Sequence, residues 1–255
     1  MNSNKSEIPI LISVVTVVYN GVNFIEDTIL SVISQSYSNI EYIVIDGGSI
    51  DGTIEIINSY SNKISKIIVE RDNGIYDAIN KGIKMSNGNI IGILNSDDIL
   101  YTKSVLSIIF NKFSSNHKLD SIIADIKFVN QKGQLHRYYS SAKWTPKKLE
   151  WGLMPPHPSF YCKRELFETY GYYRNDLKIA ADYELLIRFY LVNRISYEYI
   201  PATFVQMRLG GISTANILSK IYINKEVLYA FKLNNLNSNF FKIYTKYIFK
   251  IFEYF

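Results

Sequence analysis

Two adjacent carboxylates, Asp97 and Asp98, follow the apolar run Ile90-Ile91-Gly92-Ile93-Leu94 in the segment GILNSDDIL. Like charges this close repel, and in a dry site both stay ionised cheaply only beside a cation. A hard divalent ion such as Mg²⁺ or Mn²⁺ resolves the conflict, because it takes oxygen ligands and often combines one or two carboxylates with substrate phosphates. Taken alone, the pair reads instead as an N-cap for a helix starting near Thr102, where the helix dipole favours acids. Other polar side chains also come directly after apolar runs: Tyr19-Asn20-Gly21, Asp46-Gly47-Gly48-Ser49 and Glu70-Arg71-Asp72. Asp182, in AADYELLIR, reads by spacing alone as a first-turn helix carboxylate, with Glu184 and Arg188 as a surface i,i+4 pair. His157, in PPHPSF, could ligate a metal or reach a diphosphate as neutral imidazole, or simply bond to backbone. Cys162 is the single cysteine. That excludes an internal disulfide framework and a Cys-based zinc site, and the residue reads as a buried thiol.

These groups need elements to bring them together. The first half alternates strand and helix. Strands are expected at Ile10–Val18, Glu41–Ile45, Ile64–Glu70 and Ile90–Leu94, with helices at Val22–Gln35, Gly52–Tyr60, Ile75–Met85 and Lys103–Phe113. Asp51 is the expected cap of the second helix. The runs are β-branched and lack polar alternation, which argues a mostly parallel sheet covered on both faces. Sites in such sheets lie outside the carboxyl ends of the strands. The acidic and polar segments above sit at those ends and so converge on one rim. Beyond about Leu119 the pattern changes to paired strands at Ser121–Val129 and Gln134–Tyr139. A Pro-rich loop comes next at Trp151–Tyr161, then a helix at Ala180–Val192. Strands are expected at Ser196–Ile200 and Thr203–Arg208, before a Gly210-Gly211 break and a helical tail.

The 255 residues suit one large domain or a domain with an appendage, and 47% hydrophobic content suffices for a core. The net charge of +5 suits anionic partners but shows no dense Lys/Arg patch with a recognised motif, so no nucleic-acid partner is expected. The apolar stretch Ile8–Val18 contains Pro9 and Ser13, lacks a cleavage site and is too short to span a bilayer. It reads as the first strand of a cytoplasmic protein. There is no G-x-G-x-x-G after strand one and no G-x-x-x-x-G-K-[ST], so neither a dinucleotide-binding domain nor a P-loop is supported.

Four ordered stretches resemble the family 2 inverting glycosyltransferases with their GT-A fold. They are SVVTVVYNG, YIVIDGGSIDGT, ERDNGIYDAINKGIKMSNGNIIGILNSDD and HPSFYCKRELFETYGYYRNDLKIAADYELLIR. The resemblance spans about Pro9 to Ser213 and looks nearest to the bacterial branch that builds O-antigen and other surface polysaccharides. It implies an α/β, GT-A-type fold: a single Rossmann-like, mostly parallel sheet with helices on both faces, a smaller acceptor-side region and a helical C-terminal tail. Residues 1–213 would form the transferase domain, with a donor-binding half at about 9–115 and an acceptor and catalytic half at about 116–213. Residues 214–255 would form an amphipathic tail. Thr16, Tyr19 and Asp46 would line the nucleoside pocket, Asp46 accepting from a uracil N3–H. Arg71 and Asp72 would lie near base and ribose. Asp98 would be the direct ligand of Mn²⁺ or Mg²⁺, with Asp97 facing the ribose or donor sugar. Asn95 stands where a full D-x-D motif has its first acid, so this site has one carboxylate fewer. Asp182 would be the base that deprotonates the acceptor hydroxyl as it attacks the anomeric carbon. Gly210 and Gly211 would belong to a loop over the donor. Trp151, like Trp144, could stack on an acceptor sugar or pack in the core.

The implied donor is a UDP-hexose or UDP-N-acetylhexosamine, and the implied acceptor a lipid-linked saccharide. The segment NFFKIYTKYIFKIFEYF places its polar residues on one narrow helical stripe. That suits contact with a membrane surface, here the cytoplasmic face of an inner membrane, and equally suits docking on the domain or on another subunit. Two other classes remain: a nucleotidyltransferase on a similar sheet, for which VVYNGVNF lacks the Gly-rich basic loop, and a non-catalytic nucleotide- or saccharide-binding module.

Overall fold

The computed structural model describes residues 10–130, 132–209 and 217–251, with residues 217–220 and 246–251 described by backbone alone. The first half alternates as expected: β1 (Ile12–Val18), α1 (Ile25–Ile33), β2 (Ile40–Asp46), α2 (Thr53–Ser59), β3 (Lys66–Val69), α3 (Ile75–Met85) and β4 (Ile90–Asn95). These strands lie in the order β3-β2-β1-β4, all parallel. Alternate residues feed two cores. Val15, Val17, Ile43, Ile45, Ile91 and Ile93 pack beneath α3. Ile12, Val14, Val44, Ile90 and Leu94 pack beneath α1 and the later helix α4. Period-two alternation with both faces buried is why the strands read as continuous apolar runs.

The second half supplies β5 (Ile99–Leu100), α4 (Val105–Ser115), β6 (Ser121–Val129), β7 (Leu135–Tyr139), β8 (Tyr161–Lys163), α5 (Glu165–Tyr170), α6 (Ala181–Leu186), β9 (Tyr197–Arg208), α7 (Ile217–Leu233) and α8 (Phe240–Ile251). Short 3-10 turns form at Pro146–Trp151 and His157–Ser159, and α6 runs into a π-helical turn at Ile187–Val192. Here the sheet becomes mixed. β8 joins β4 antiparallel, β6 lies antiparallel to β7 and β8 but parallel to β9, and β5 pairs antiparallel with β9. The two strands expected around Pro201-Ala202 are one strand. Its register against β6 slips from Ala124–Ile200 to Asp125–Thr203 and then to Ile126–Val205. Bulges of this kind absorb a proline that cannot donate to the ladder.

Gly92 marks the join between the halves. It pairs with Tyr161, and a Cβ built on it would lie 1.9 Å from a carbon of that fully buried ring. The tail docks on the domain: α7 buries Val227, Ala230 and Phe231 and α8 buries Ile243, while Phe240 and Phe241 stay exposed. No helix among the described residues is long and apolar enough to cross a membrane.

Candidate active site

Register places the ends of the parallel strands side by side. Val18 pairs with Asp46, Asp46 with Val69, and Val17 with Asn95, so the loops leaving these strands emerge at one rim. The β1 and β2 loops are laced together there. The Asn20 N–H donates to Ser49 Oγ (2.8 Å), Gly21 N–H to Thr53 Oγ1 (2.9 Å) and Val22 N–H to Asp51 Oδ2 (3.1 Å). Asp51 precedes the N-cap residue instead of occupying it. Gly52 takes that place at φ 101°, and Asp51 Oδ1 still accepts from the Thr53 N–H.

Asp46 is fully buried at the end of β2. Its Oδ1 accepts from the N–H groups of Gly48 (2.9 Å) and Ser49 (2.7 Å), whereas its Oδ2 has no hydrogen-bond partner. An unpaired buried carboxylate oxygen is costly, so a ligand N–H placed against it would be stabilised. Gly47 brings two further groups together: a Cβ there would sit 3.1 Å from Asp72 Oδ2 and 3.4 Å from the Tyr19 ring. Tyr19 is 65% exposed. Arg71 is exposed beside Gly48. Asp72 is held by Lys81 Nζ at 2.6 Å, and Lys81 also pairs with Glu70 (2.9 Å) and Asp77 (3.4 Å). Thr16 departs from expectation. It is fully buried within the sheet and its hydroxyl accepts from Tyr42 (3.2 Å), so it supports the rim from below and does not line a pocket.

The acidic pair occupies the turn between β4 and β5. It caps no helix, since α4 starts at Val105 after Ser104. The Thr28 hydroxyl on α1 lies within hydrogen-bonding distance of the carbonyls of Ser96 (2.8 Å) and Asp98 (2.7 Å) and so holds the turn. Asp98 is only 1% exposed; its Oδ2 accepts from Asn95 Nδ2 (3.2 Å) and its Oδ1 has no partner. Burial, and then the Asp97 charge, push its carboxyl well above the usual range. Asp97 keeps partial access to solvent and is also raised by burial. Asp97 thus offers a partly exposed carboxylate and Asp98 a buried oxygen, Oδ1, without a partner. No cluster of three or more His, Cys, Asp or Glu side chains suited to a metal occurs among the described residues. An ion here would take the rest of its oxygen ligands from substrate phosphate and water, as Mg²⁺ commonly does.

Asp182 stands in the first turn of α6. Its Oδ1 accepts from the Tyr183 N–H (2.7 Å), and burial pushes its carboxyl from 3.8 up to about 6. Tyr76, on α3, donates its hydroxyl to the Ile179 carbonyl (2.5 Å) and lies beside the Asp182 carboxyl. Asn80, one turn on, exchanges hydrogen bonds with the backbone of Tyr173 (2.8 and 3.0 Å). His157 Nε2 bonds the Tyr173 hydroxyl at 2.5 Å, and burial pushes the imidazole down to about 4. One nitrogen of this neutral histidine is thus held by a tyrosine. Glu184 and Arg188 are no surface pair. Glu184 is 2% exposed, and Arg188 donates to both its oxygens and to the carbonyls of Tyr170, Gly171 and Tyr172.

A cleft of about 560 Å³ opens beside the 3-10 turn at Pro146–Trp151, lined by Tyr139, Lys143, Lys148 and Trp151 among others. The Tyr183 hydroxyl donates to the Leu149 carbonyl, which anchors this turn to the residue after Asp182. Trp151 is 40% exposed, whereas Trp144 is buried in the core. Gly210 and Gly211 lie outside the described residues. Sequence pattern did not single out Tyr76, Lys81 or Thr28. Tyr76 fits the apolar stripe of its helix, so only the hydroxyl at the ring's tip, invisible to periodicity, carries its second role.

The glycosyl transferase family 2 model matches residues 13–176, more than half the chain. An uncharacterized glycosyltransferase of Rickettsia prowazekii is 29% identical over 217 residues, covering 81% of this chain. The chain spans 66% of that relative's length. A PGL/p-HBAD biosynthesis glycosyltransferase of Mycobacterium bovis is 24% identical, covering 76% of this chain and 75% of its own. Among solved structures, S. aureus TarS 1-349 in complex with UDP-GlcNAc superposes with a TM-score of 0.72 at 21% identity, over 90% of this chain and 67% of that one. The mannosyltransferase PcManGT of Pyrobaculum calidifontis, in complex with GDP-Man and Mn²⁺, gives 0.67 at 16% identity, over 91% and 66%. Both likenesses establish the GT-A-like fold.

Proposed function

We propose a single-displacement sugar transfer for this chain, which belongs to glycosyl transferase family 2. It would move a hexose or N-acetylhexosamine from a UDP-sugar to a hydroxyl of a lipid-linked saccharide, with inversion at the anomeric carbon, in the synthesis of a bacterial surface polysaccharide. The observation that carries the reading is Asp182: a carboxyl at a helix start, held by the Tyr183 N–H and pushed up to about 6. That value suits a general base working near neutral pH.

The chain's residues divide the work. The unpaired Oδ2 of Asp46 would accept a base N–H, the uracil N3–H being the matching donor. Tyr19, Arg71 and Asp72 would border the nucleoside. Asp98, through its unpaired Oδ1, would hold a Mn²⁺ or Mg²⁺ ion with Asp97 beside it toward the donor, and the chemistry of that ion is to offset the negative charge that builds on the departing diphosphate. Asp182 would take the acceptor proton as its oxygen forms the new bond and the bond to the diphosphate breaks. The face of Trp151 and the ammonium groups of Lys143 and Lys148 suit a saccharide bearing a phosphate. Exposed Phe240 and Phe241, on a helix that also carries lysines, support contact with a membrane surface at the cytoplasmic face of the inner membrane, where a lipid-linked acceptor would lie. The PGL/p-HBAD biosynthesis enzyme and the UDP-GlcNAc complex of TarS support this choice of pathway class and donor. The test is a hydrolysis and transfer screen over nucleotide sugars with Mn²⁺, Mg²⁺ or a chelator. UDP-sugar turnover that collapses on chelation is expected. Full turnover in chelator would remove the ion from the reading.

A further inference from the structure

Helix α6 is only six residues long, and no side chain of its own segment caps it. The backbone just before it converges on one group. The N–H groups of Lys178, Ile179 and Ala180 all donate to the Glu226 carboxylate, at 2.8, 2.8 and 2.9 Å. Glu226 comes from α7, the helix that sequence assigns to the tail, and is 7% exposed. The amides before a helix are donors without intrahelical partners, and an anion beside them also complements the helix dipole. Three successive amides around one carboxylate form a backbone nest of the kind that fixes loop conformation.

This nest ends two residues before Asp182. The Ile179 carbonyl, within the same tripeptide, accepts the Tyr76 hydroxyl. The base is therefore gripped from both sides: α3 holds the loop through a carbonyl, and α7 holds it through three amides. A second contact ties α7 to the same helix, since Asn234 Nδ2 donates to Glu184 Oε1 at 3.0 Å. We propose that Glu226 is a positioning residue for the transfer reaction, which makes α7 part of the catalytic apparatus and not an appendage. The proposal rests on the reading of Asp182 as the base. The groups facing Asp182 are Tyr76 from α3, Tyr173 and Tyr183 from its own side, and Glu226 from α7. Burial pushes the three phenols up, and beside burial, the main cause, Glu226 adds to the rise of the Asp182 carboxyl.

The experiment compares Glu226→Gln and Glu226→Ala with Asp182→Asn in the full chain. The probe is whichever UDP-sugar of a commercial panel the wild type hydrolyses fastest, and UDP binding is measured by calorimetry. A reacting group displaced by about 1 Å loses about 100-fold in rate. The expected result is a kcat lowered about tenfold in Glu226→Gln and about 100-fold in Glu226→Ala, with KM and UDP affinity within about twofold of wild type. The acidic limb of the pH profile moves to lower pH, because an anion beside the base is gone; a loss of bulk stability would not move it. Amides 178–180 exchange faster with deuterium. Wild-type kcat and an unmoved limb in Glu226→Gln, beside an inactive Asp182→Asn, would overturn the proposal. Should Asp182→Asn keep its turnover, the base reading fails instead. The amide exchange then decides the clamp by itself, unchanged protection in Glu226→Gln counting against it.

Discussion

Replacing Asp182 by asparagine should cost activity and raise stability, and both effects stem from one buried carboxyl. In the wild type the carboxyl sits at about 6 instead of 3.8. A base must be ionised to act, so turnover should rise with pH through about 6. At pH 5 about a tenth of the molecules carry the carboxylate and at pH 7 about nine tenths, so kcat should change about tenfold between them. The stability sign runs opposite. The folded state holds this proton more tightly than the unfolded chain does. Its contribution is full below 3.8 and is lost as pH rises to about 6; above that the ionised group is a net cost. About two units at 1.36 kcal/mol each give about 3 kcal/mol, and partial solvent access reduces this to the order of 1–3 kcal/mol. Asparagine keeps an oxygen for the Tyr183 N–H and carries no charge. Asp182→Asn should therefore lose about 10²–10⁴-fold in kcat and bind UDP as before. It should unfold at higher urea than wild type at pH 7.5, the gap closing by pH 4. Turnover, UDP calorimetry and urea melts at both pH values read all of this. Wild-type turnover in the variant would refute the base. An inactive variant with no stability gain would refute the burial argument.

Three other contacts have measurable consequences. Gly92→Ala drives a methyl into the buried Tyr161 ring, 1.9 Å from its nearest carbon; overpacking of this kind should cost at least about 1–3 kcal/mol in a urea melt, and an unchanged midpoint would mean that β4 and β8 are not packed as described. Asp46→Asn can keep an oxygen for the Gly48 and Ser49 amides while its new NH₂ faces a base N–H, so UDP affinity should fall at least about tenfold with little change in melting, and calorimetry showing equal affinity would dismiss Asp46 as the base reader. Asn95→Asp replaces the donor to Asp98 Oδ2 with a third carboxylate; the variant should lose about 1–3 kcal/mol without divalent ions and recover part of it in Mn²⁺, whereas a loss that Mn²⁺ leaves unchanged would place the ion away from this turn.

Much of the fold was legible because its signals are local and repeated. The runs at Ile12–Val18 and Ile90–Asn95 are β-branched and buried on both faces, which periodicity and composition report directly. The rim could be inferred from strand direction alone, since parallel strands end on the same side. The features that stayed hidden are set by contacts distant in sequence. Glu184 and Arg188 look like any i,i+4 pair until α5, α7 and the Tyr170–Tyr172 carbonyls close around them. Asp97 and Asp98 are chemically identical in sequence; only the turn held by Thr28 decides which is buried. Thr16 shows the limit of residue-by-residue transfer, because the same side chain serves a pocket or a core according to which face of β1 it takes.

The asparagine at position 95 looked like a weakness of the acidic site, a carboxylate missing from a metal-binding pattern. The turn gives it a different sense. With Asp98 buried and one of its oxygens bonded to the Asn95 amide, a carboxylate at position 95 would stand against another carboxylate with no donor between them. The amide lets the turn fold without an ion, leaving Asp97 partly exposed and one Asp98 oxygen unpaired. With fewer charges facing it, an ion here would bind weakly by itself, and the diphosphate of the donor would bring most of the remaining oxygen ligands. On that account an ion would bind together with the nucleotide sugar and leave with the nucleotide, so Mn²⁺ alone should bind far more weakly than Mn²⁺ in the presence of UDP.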